Sequence, residues 1–306
     1  MNLTNVVVRA DSPAGEHYRT QRSVVAVVEA LEAIAPPFAP DAARDLQYFG
    51  GETIPQLAFT SFYLGGSERW TGSDVDSIDR ALDKAMSDPG LNDVIAQYFP
   101  GQTVSTTFTG HEFLPVVPDT VYTDTVEGLL ADLHDQGRLT GDLGSTVFLF
   151  LLPSGVVLVD GVSPGGPGDV DSLHGLGGYH GSIHVQATTL YYAVGVYSET
   201  TATGDNGIVA FDEPWKNVVA TFYHELQEVR TDPDVEDAIR APTFDEGVKF
   251  LGWMSLRDGE IGDIPIEVAD GDLGLVMKEV PLADGSGTVP IQLMWSNRVH
   301  GPEGPA

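Results

Sequence analysis

The chain has 306 residues, of which 42% are hydrophobic and 20% charged, a globular composition long enough for one large domain or two modest ones around a shared core. Forty-five acidic residues face fifteen basic ones, only four of them lysine. The formal net charge of -30 argues against nucleic acid and anionic membranes as partners and favours cationic ligands and divalent metals. There is no cysteine, so disulfides, thiolate catalysis and thiolate-ligated metal centres are excluded, and any metal must be held by His, Asp, Glu, backbone oxygen or water.

Few lysines among many acids also suit a salty environment, where counterions screen self-repulsion. The opening residues lack a basic segment followed by an apolar core, so no signal peptide is read. The expectation is a protein kept inside the cell, or the mature form of a secreted one. Residues 1–50 read as a peripheral segment and 51–306 as a single α/β metal-binding domain. In the first part, residues 24–34 predict a short helix ended by Pro36 and Pro37. Residues 57–64 read as a strand closed by Gly65 and Gly66. Ser73 with Asp76 resembles a capping box, and Val75, Ile78 and Leu82 follow at helical spacing. Asp88-Pro89 opens another short helix running to about Tyr98.

Residues 104–108 are rich in β-formers, and Val126, Leu129, Leu130 and Leu133 mark a helix stopped by Gly137. The continuous apolar run 147–152 is strand-sized and predicts a strand buried on both faces. Alternating strands and helices argue for an α/β fold, a mixed sheet layered with helices. Residues 161–178 are glycine-rich and read as a loop that could border a site. Strands follow at 183–185 and 190–196. The best-defined helix is 215–229, where Trp215, Val218, Val219, Phe222, Leu226 and Val229 form one apolar stripe. Beyond residue 240 the chain is loop-rich and ends in a strand over 289–295.

That helix carries His224-Glu225-Leu226-Gln227-Glu228. At roughly 100° per residue, His224 and Glu228 lie one turn apart on a common face opposite the apolar stripe. Two side chains so placed can close on one metal. Zinc hydrolases with His-Glu-x-x-His use both histidines as ligands and the intervening Glu as base. Here Glu228 takes the place of the second histidine and Glu225 keeps that of the base. An extra anionic ligand makes bound water less acidic, so a weaker hydrolase is expected. The plain alternative is a solvated helix face.

Two further segments add donors. His180 and His184 share a face if their segment is extended, and His174, His180, His184 and His224 are half of the eight histidines. Downstream, Glu260 and Asp263 supply carboxylates beside Gly259 and Gly262, where ordinary turn acids are the alternative. His111 has Pro115 where a companion ligand would stand. No serine sits in a Gly-x-Ser-x-Gly elbow, and the glycines of 165–178 include neither a Walker lysine nor a dinucleotide fingerprint.

Taken together, three blocks resemble the bacterial and fungal branch of the phosphate-induced, Exordium-like family. They are Gly178-Tyr179-His180-Gly181-Ser182 followed by Tyr191-Tyr192-Ala193-Val194; Tyr223-His224-Glu225-Leu226-Gln227-Glu228 running into Thr231-Asp232-Pro233; and Gly252-Trp253 with Glu260-Ile261-Gly262-Asp263. Gln292-Leu293-Met294-Trp295-Ser296-Asn297 resembles the family's closing strand. The likeness runs in order over residues 55–298 and is sharpest from 177 onward. The family's usual cysteines are missing. Members look like metallopeptidase relatives, generally secreted, so the resemblance implies a zincin-like active-site helix. It also implies His224 and Glu228 as metal ligands, Glu225 as base, Glu260 or Asp263 as third ligand, and His180 as ligand or oxyanion stabiliser.

The leading expectation is a metal-dependent hydrolase, a zinc peptidase acting on a peptide or small-molecule substrate. The alternatives are a non-catalytic acidic protein with a structural zinc or calcium ion in a binding or signalling role, and a metal-free interaction protein in which His224 and Glu228 stand apart and solvated.

Overall fold

The apolar run 147–152 becomes the middle of a six-stranded mixed sheet. The structure is a computed structural model and describes residues 5–21, 37–161 and 170–305. The helix expected over 24–34 lies outside the described residues, as does 162–169 of the glycine-rich stretch. The sheet strands are β1 (Val6–Val8), β2 (Gln56–Leu64), β3 (Ser105–Leu114), β4 (Thr146–Leu152), β5 (Leu176–Val185) and β6 (Thr188–Val196). Their spatial order is β1-β5-β6-β4-β2-β3. β3, β2, β4 and β6 run parallel, β5 returns antiparallel as a hairpin with β6, and β1 closes the edge antiparallel to β5.

Side-chain alternation along β4 separates two cores. Val147, Leu149 and Leu151 join Phe59, Tyr63, Tyr191 and Ala193 on one face. Phe148, Phe150 and Leu152 join Phe62, Tyr192 and Val194 on the other. The second face is covered by helices α1 (Pro13–Gln21) and α4 (Thr123–Asp135), through Ala14 and Tyr18 of α1 and Val126, Leu130 and Leu133 of α4. The first face carries α2 (Gly72–Ser87), α3 (Pro89–Ala96) and α5 (Pro214–Thr231), with a hairpin of β7 (Met277–Pro281) and β8 (Thr288–Gln292) beyond α5. This is a mixed α/β architecture in three layers. Among the described residues, no helix is long and apolar enough to cross a membrane.

Local chemistry accounts for most element ends. Asp88 caps α3 by accepting from Gly90 N and Leu91 N at 2.9 and 3.0 Å, as its position before Pro89 predicts. Helix α2 begins earlier than Ser73 implies: Thr71 is the cap, and its hydroxyl accepts from Asp74 N at 3.2 Å. Gly137 ends α4 in a left-handed conformation. Two segments differ from their reading. The stretch read as peripheral supplies β1, whose Val6 and Val7 are buried against the sheet. The end of the glycine-rich stretch is strand, because β5 begins at Leu176 and runs through Gly177 and Gly178.

Helix α5 is the most enclosed helix among the described residues. Its Phe222 and Leu226 pack in the core facing the sheet, with Trp215 half-buried at the same surface. α2 and β8 close the other sides, so Asn217 through Thr231 are all buried. The short helices α6 (Val235–Arg240) and α7 (Asp263–Val268) follow it and wrap the neighbouring edge. Leu226 is fully buried between sheet and site, and Leu226→Ala should cost about 2–5 kcal/mol in urea unfolding. A loss below ~1 kcal/mol would show that α5 is not part of the cooperative core.

Candidate metal centre

The face of α5 that carries His224, Glu225 and Glu228 meets no solvent. His180, His224, Glu225, Glu228 and Glu260 are each 0% exposed, and Asp263 is 6% exposed. Three chain segments converge there: α5, the middle of β5 with His180, and the loop from Glu260 into α7. The close approach depends on backbone without side chains. A Cβ on Gly178 would stand 2.5 Å from Val194 O of the neighbouring β6, which calls for glycine there, and 3.2 and 3.3 Å from Thr221 Cγ2 and Glu225 Oε1, so α5 also lies close over this point of β5. A Cβ on Gly262 would stand 2.5 Å from His224 Nδ1. The loop backbone therefore lies directly on the imidazole.

Glu228 is the hub. Its Oε2 is 3.0 Å from His224 Nε2 and 3.6 Å from His180 Nδ1, and its Oε1 accepts from Gly262 N at 3.2 Å. His180 Nδ1 is 3.1 Å from Glu225 Oε2, and its Nε2 is 3.6 Å from Glu260 Oε1. Despite these approaches, His180 Nε2, His224 Nε2, Glu225 Oε1, Glu228 Oε2 and both oxygens of Glu260 have no hydrogen-bond partner of proper geometry. Buried polar atoms left without partners cost free energy, so such a set marks a place built for something else. Two overlapping groups have the donor spacing of a cation site: His180, Glu225 and Glu228, and His224, Glu228 and Asp263. The residues thus fit a divalent ion held by nitrogen and carboxylate oxygen.

Electrostatics divide the cluster. Burial raises Glu225 and Glu260 well above the ordinary carboxylate range, helped by Glu228 and Asp263 and, for Glu260, by Asp232. Burial also opposes ionisation of Glu228, but His224, His180 and the Gly262 N–H outweigh it and hold that carboxyl low. Burial alone would depress His224; Glu228, Asp263 and Gln292 turn the shift upward. His180 falls to about 4, because burial and the charge of His224 outweigh the attraction of Glu228. Without an ion, then, the surroundings favour the charged forms of His224 and Glu228 and the neutral forms of His180, Glu225 and Glu260.

The other histidines of the sequence reading fall outside, including His111, which lacks a companion ligand. His184 lies farther along β5, half-exposed, with Nε2 2.8 Å from Asp237 Oδ2. His174 pairs with Asp171 at 2.6 Å, and His111 with Asp79 at 2.5 Å. Two residues that the motif reading left without a role are part of the centre. Gln292, on β8, accepts from His224 Nδ1 at 2.9 Å and donates to Gly262 O at 2.5 Å. This bond puts the proton on Nδ1 and leaves Nε2 free as a ligand. Asp232, at the end of α5, accepts from Gly252 N at 2.8 Å and keeps Oδ2 buried and unpartnered. A glutamine in an otherwise apolar strand and an Asp before Pro233 were the available signals.

Gln292→Ala removes the group that orients His224 and should weaken zinc or cobalt binding roughly 10–100-fold. Competition with a chromophoric chelator reads this, and unchanged affinity would remove Gln292 from the site. A second test uses pH. Burial, together with Glu127 and Asp160 and against Arg240, pushes Glu236 up to about 7 from 4.5. Between those values the folded chain holds a proton that the unfolded chain has lost, so stability falls as pH rises through that window. Glu236→Gln should remove that slope and gain on the wild type between pH ~5 and ~8 in urea titrations. An equal difference at both pH values would contradict the shift.

No family model matches the chain, and no curated protein matches it.

Proposed function

We propose that this protein is a metal-dependent hydrolase, with a zincin-like active-site helix and zinc as the ion its mixed His and carboxylate donors suit best. The resemblance to the Exordium-like family belongs to the same proposal. The observation that carries it is an unspent carboxylate beside a three-donor set. His224, Glu228 and Asp263 would hold the ion, while Glu225 keeps Oε1 buried and without a partner next to them. Three protein donors leave room for a reacting group, as catalytic zinc sites require.

A divalent ion bound there supplies Lewis acidity, polarising a carbonyl oxygen and lowering the pKa of nearby water. The chain's own residues do the rest. Glu225 takes the proton at Oε1, and His180 Nδ1, 3.1 Å from Oε2, fixes the direction of that carboxyl. Gln292 keeps His224 in the tautomer that presents Nε2. A cavity of about 30 Å³, lined by Val8, Ala10, Tyr18, Arg19, Ile266 and Glu267, reaches Asp263. It admits a water-sized molecule, and by this route a peptide or comparable carbonyl substrate would reach Asp263 only if α1 and α7 parted.

That narrow access supports a second reading, a structural zinc or calcium ion in a non-catalytic binding or signalling protein. One set of measurements separates the two. Under the hydrolase reading Glu225→Gln keeps an ion and the fold yet lowers peptide-library turnover by about a hundredfold or more, the scale of a lost general base. Glu228→Ala releases the ion and lowers the melting temperature in proportion. A wild type that retains ion but cleaves nothing favours the structural reading. X-ray absorption distances of ~2.0–2.2 Å indicate zinc and ~2.3–2.6 Å calcium.

A further inference from the structure

We infer that the centre seats two divalent cations bridged by Glu228, one held by His224 and Asp263, the other by His180 and Glu225 with Glu260 beside it. This rests on the metal-dependent reading and specifies the form of its site. The first argument is geometric. An ion bound at ~2.1 Å can join only donors within about twice that distance of one another. The five donors do not form one such group. They form two groups of three, each with donor atoms within 4.8 Å, and only Glu228 belongs to both. The imidazoles of His180 and His224 fall in different groups and approach the same Oε2 of Glu228, at 3.6 and 3.0 Å. A carboxylate approached by separate donor sets is the bridging element of paired-metal sites, whose ions stand ~3.5–4 Å apart.

The second argument is Glu260. It is fully buried, both its oxygens lack partners, and it stands 3.6 Å from His180 Nε2, which is itself unpartnered. A single ion at His224, Glu228 and Asp263 leaves His180, Glu225 and this glutamate outside its donor group. In the paired site Glu225 meets the second ion through one oxygen and keeps the other for the proton.

Metal stoichiometry tests this without reference to activity. The full chain is stripped with a chelator, returned to metal-free buffer and titrated with zinc in molar potassium chloride, which screens ion binding to the acidic surface more than to a buried site. Native mass spectrometry and elemental analysis should show saturation at two ions per chain. His180→Ala and Asp263→Asn should each keep one, and Glu228→Ala none. Circular dichroism confirms that the variants are folded. Replacing zinc by manganese should give the broadened spectrum of two coupled ions in electron paramagnetic resonance. Wild-type saturation at one ion overturns this inference and leaves the metal-dependent reading standing. Loss of all metal from both folded single variants overturns it as well, since that outcome means one shared seat. Saturation at zero overturns both readings.

Discussion

Taking ionisable groups out of water is expensive unless something replaces the water, and that requirement organises the region around α5. Two neighbours on this helix show the alternatives. Arg230 is as buried as His224, but its guanidinium is surrounded: Pro55 O and Ser105 O accept from Nη1 at 2.8 and 3.2 Å, Thr106 Oγ1 from Nη2 at 2.5 Å, and Gln227 Oε1 from Nε at 3.1 Å. That charge is spent on holding α5 to the starts of β2 and β3. Within the preceding five residues, Glu225 and Glu228 each keep one oxygen, Oε1 and Oε2 respectively, that nothing satisfies. The same helix is finished at its C-terminal end and unfinished at its centre. The difference sets the centre apart from ordinary core polarity and suits it to hold an ion.

Around that centre, the architecture works by closeness. Tyr179 and His180 are adjacent on β5 but point to opposite faces, the tyrosine into the core under α1 and α4, the histidine toward α5. Thr221 and Glu225 of the helix lie close over bare backbone at Gly178, where His180 meets Glu225, and bare backbone at Gly262 lets the returning loop rest on His224. The loop is itself anchored, since Trp295 N donates to Ile261 O at 2.9 Å and Trp295 is buried. The glycines and tryptophans of the sequence blocks therefore set distances, and the His and Glu residues use them.

Much of this was legible from local chemistry, and the reason is the range over which each signal acts. The stripe Val218, Phe222, Leu226 and Val229 and the spacing of His224 to Glu228 are properties of one helix, so periodicity found them. The uninterrupted apolar strand at 147–152 and the Asp88 cap were equally local. Two kinds of feature escaped. Glycine lowers strand propensity, so Gly177 and Gly178 suggested a loop where close packing against α5 overrides that preference. Separating His180 from His184 needed the position of the helix, because both share a strand face and only one lies beneath α5. Gln292 stood out only as a glutamine in an apolar strand and its role was not legible, since its partner His224 is 68 residues away and only the tertiary fold joins them.

The spread of these donors along the chain also constrains the order in which the molecule is made. His180, the α5 residues, Glu260 with Asp263, and Gln292 leave the ribosome in succession, and the last of them is needed to set the tautomer of His224. Until then the carboxylates can remain hydrated, because β8 and the Trp295-anchored loop that exclude water from α5 have not yet formed. Parallel pairing of β2, β4 and β6 already makes early folding a long-range and slow affair. The dehydration of the acidic cluster is thus a late event in synthesis, and the nascent α/β sheet is spared an unfinished charged core while most of it assembles.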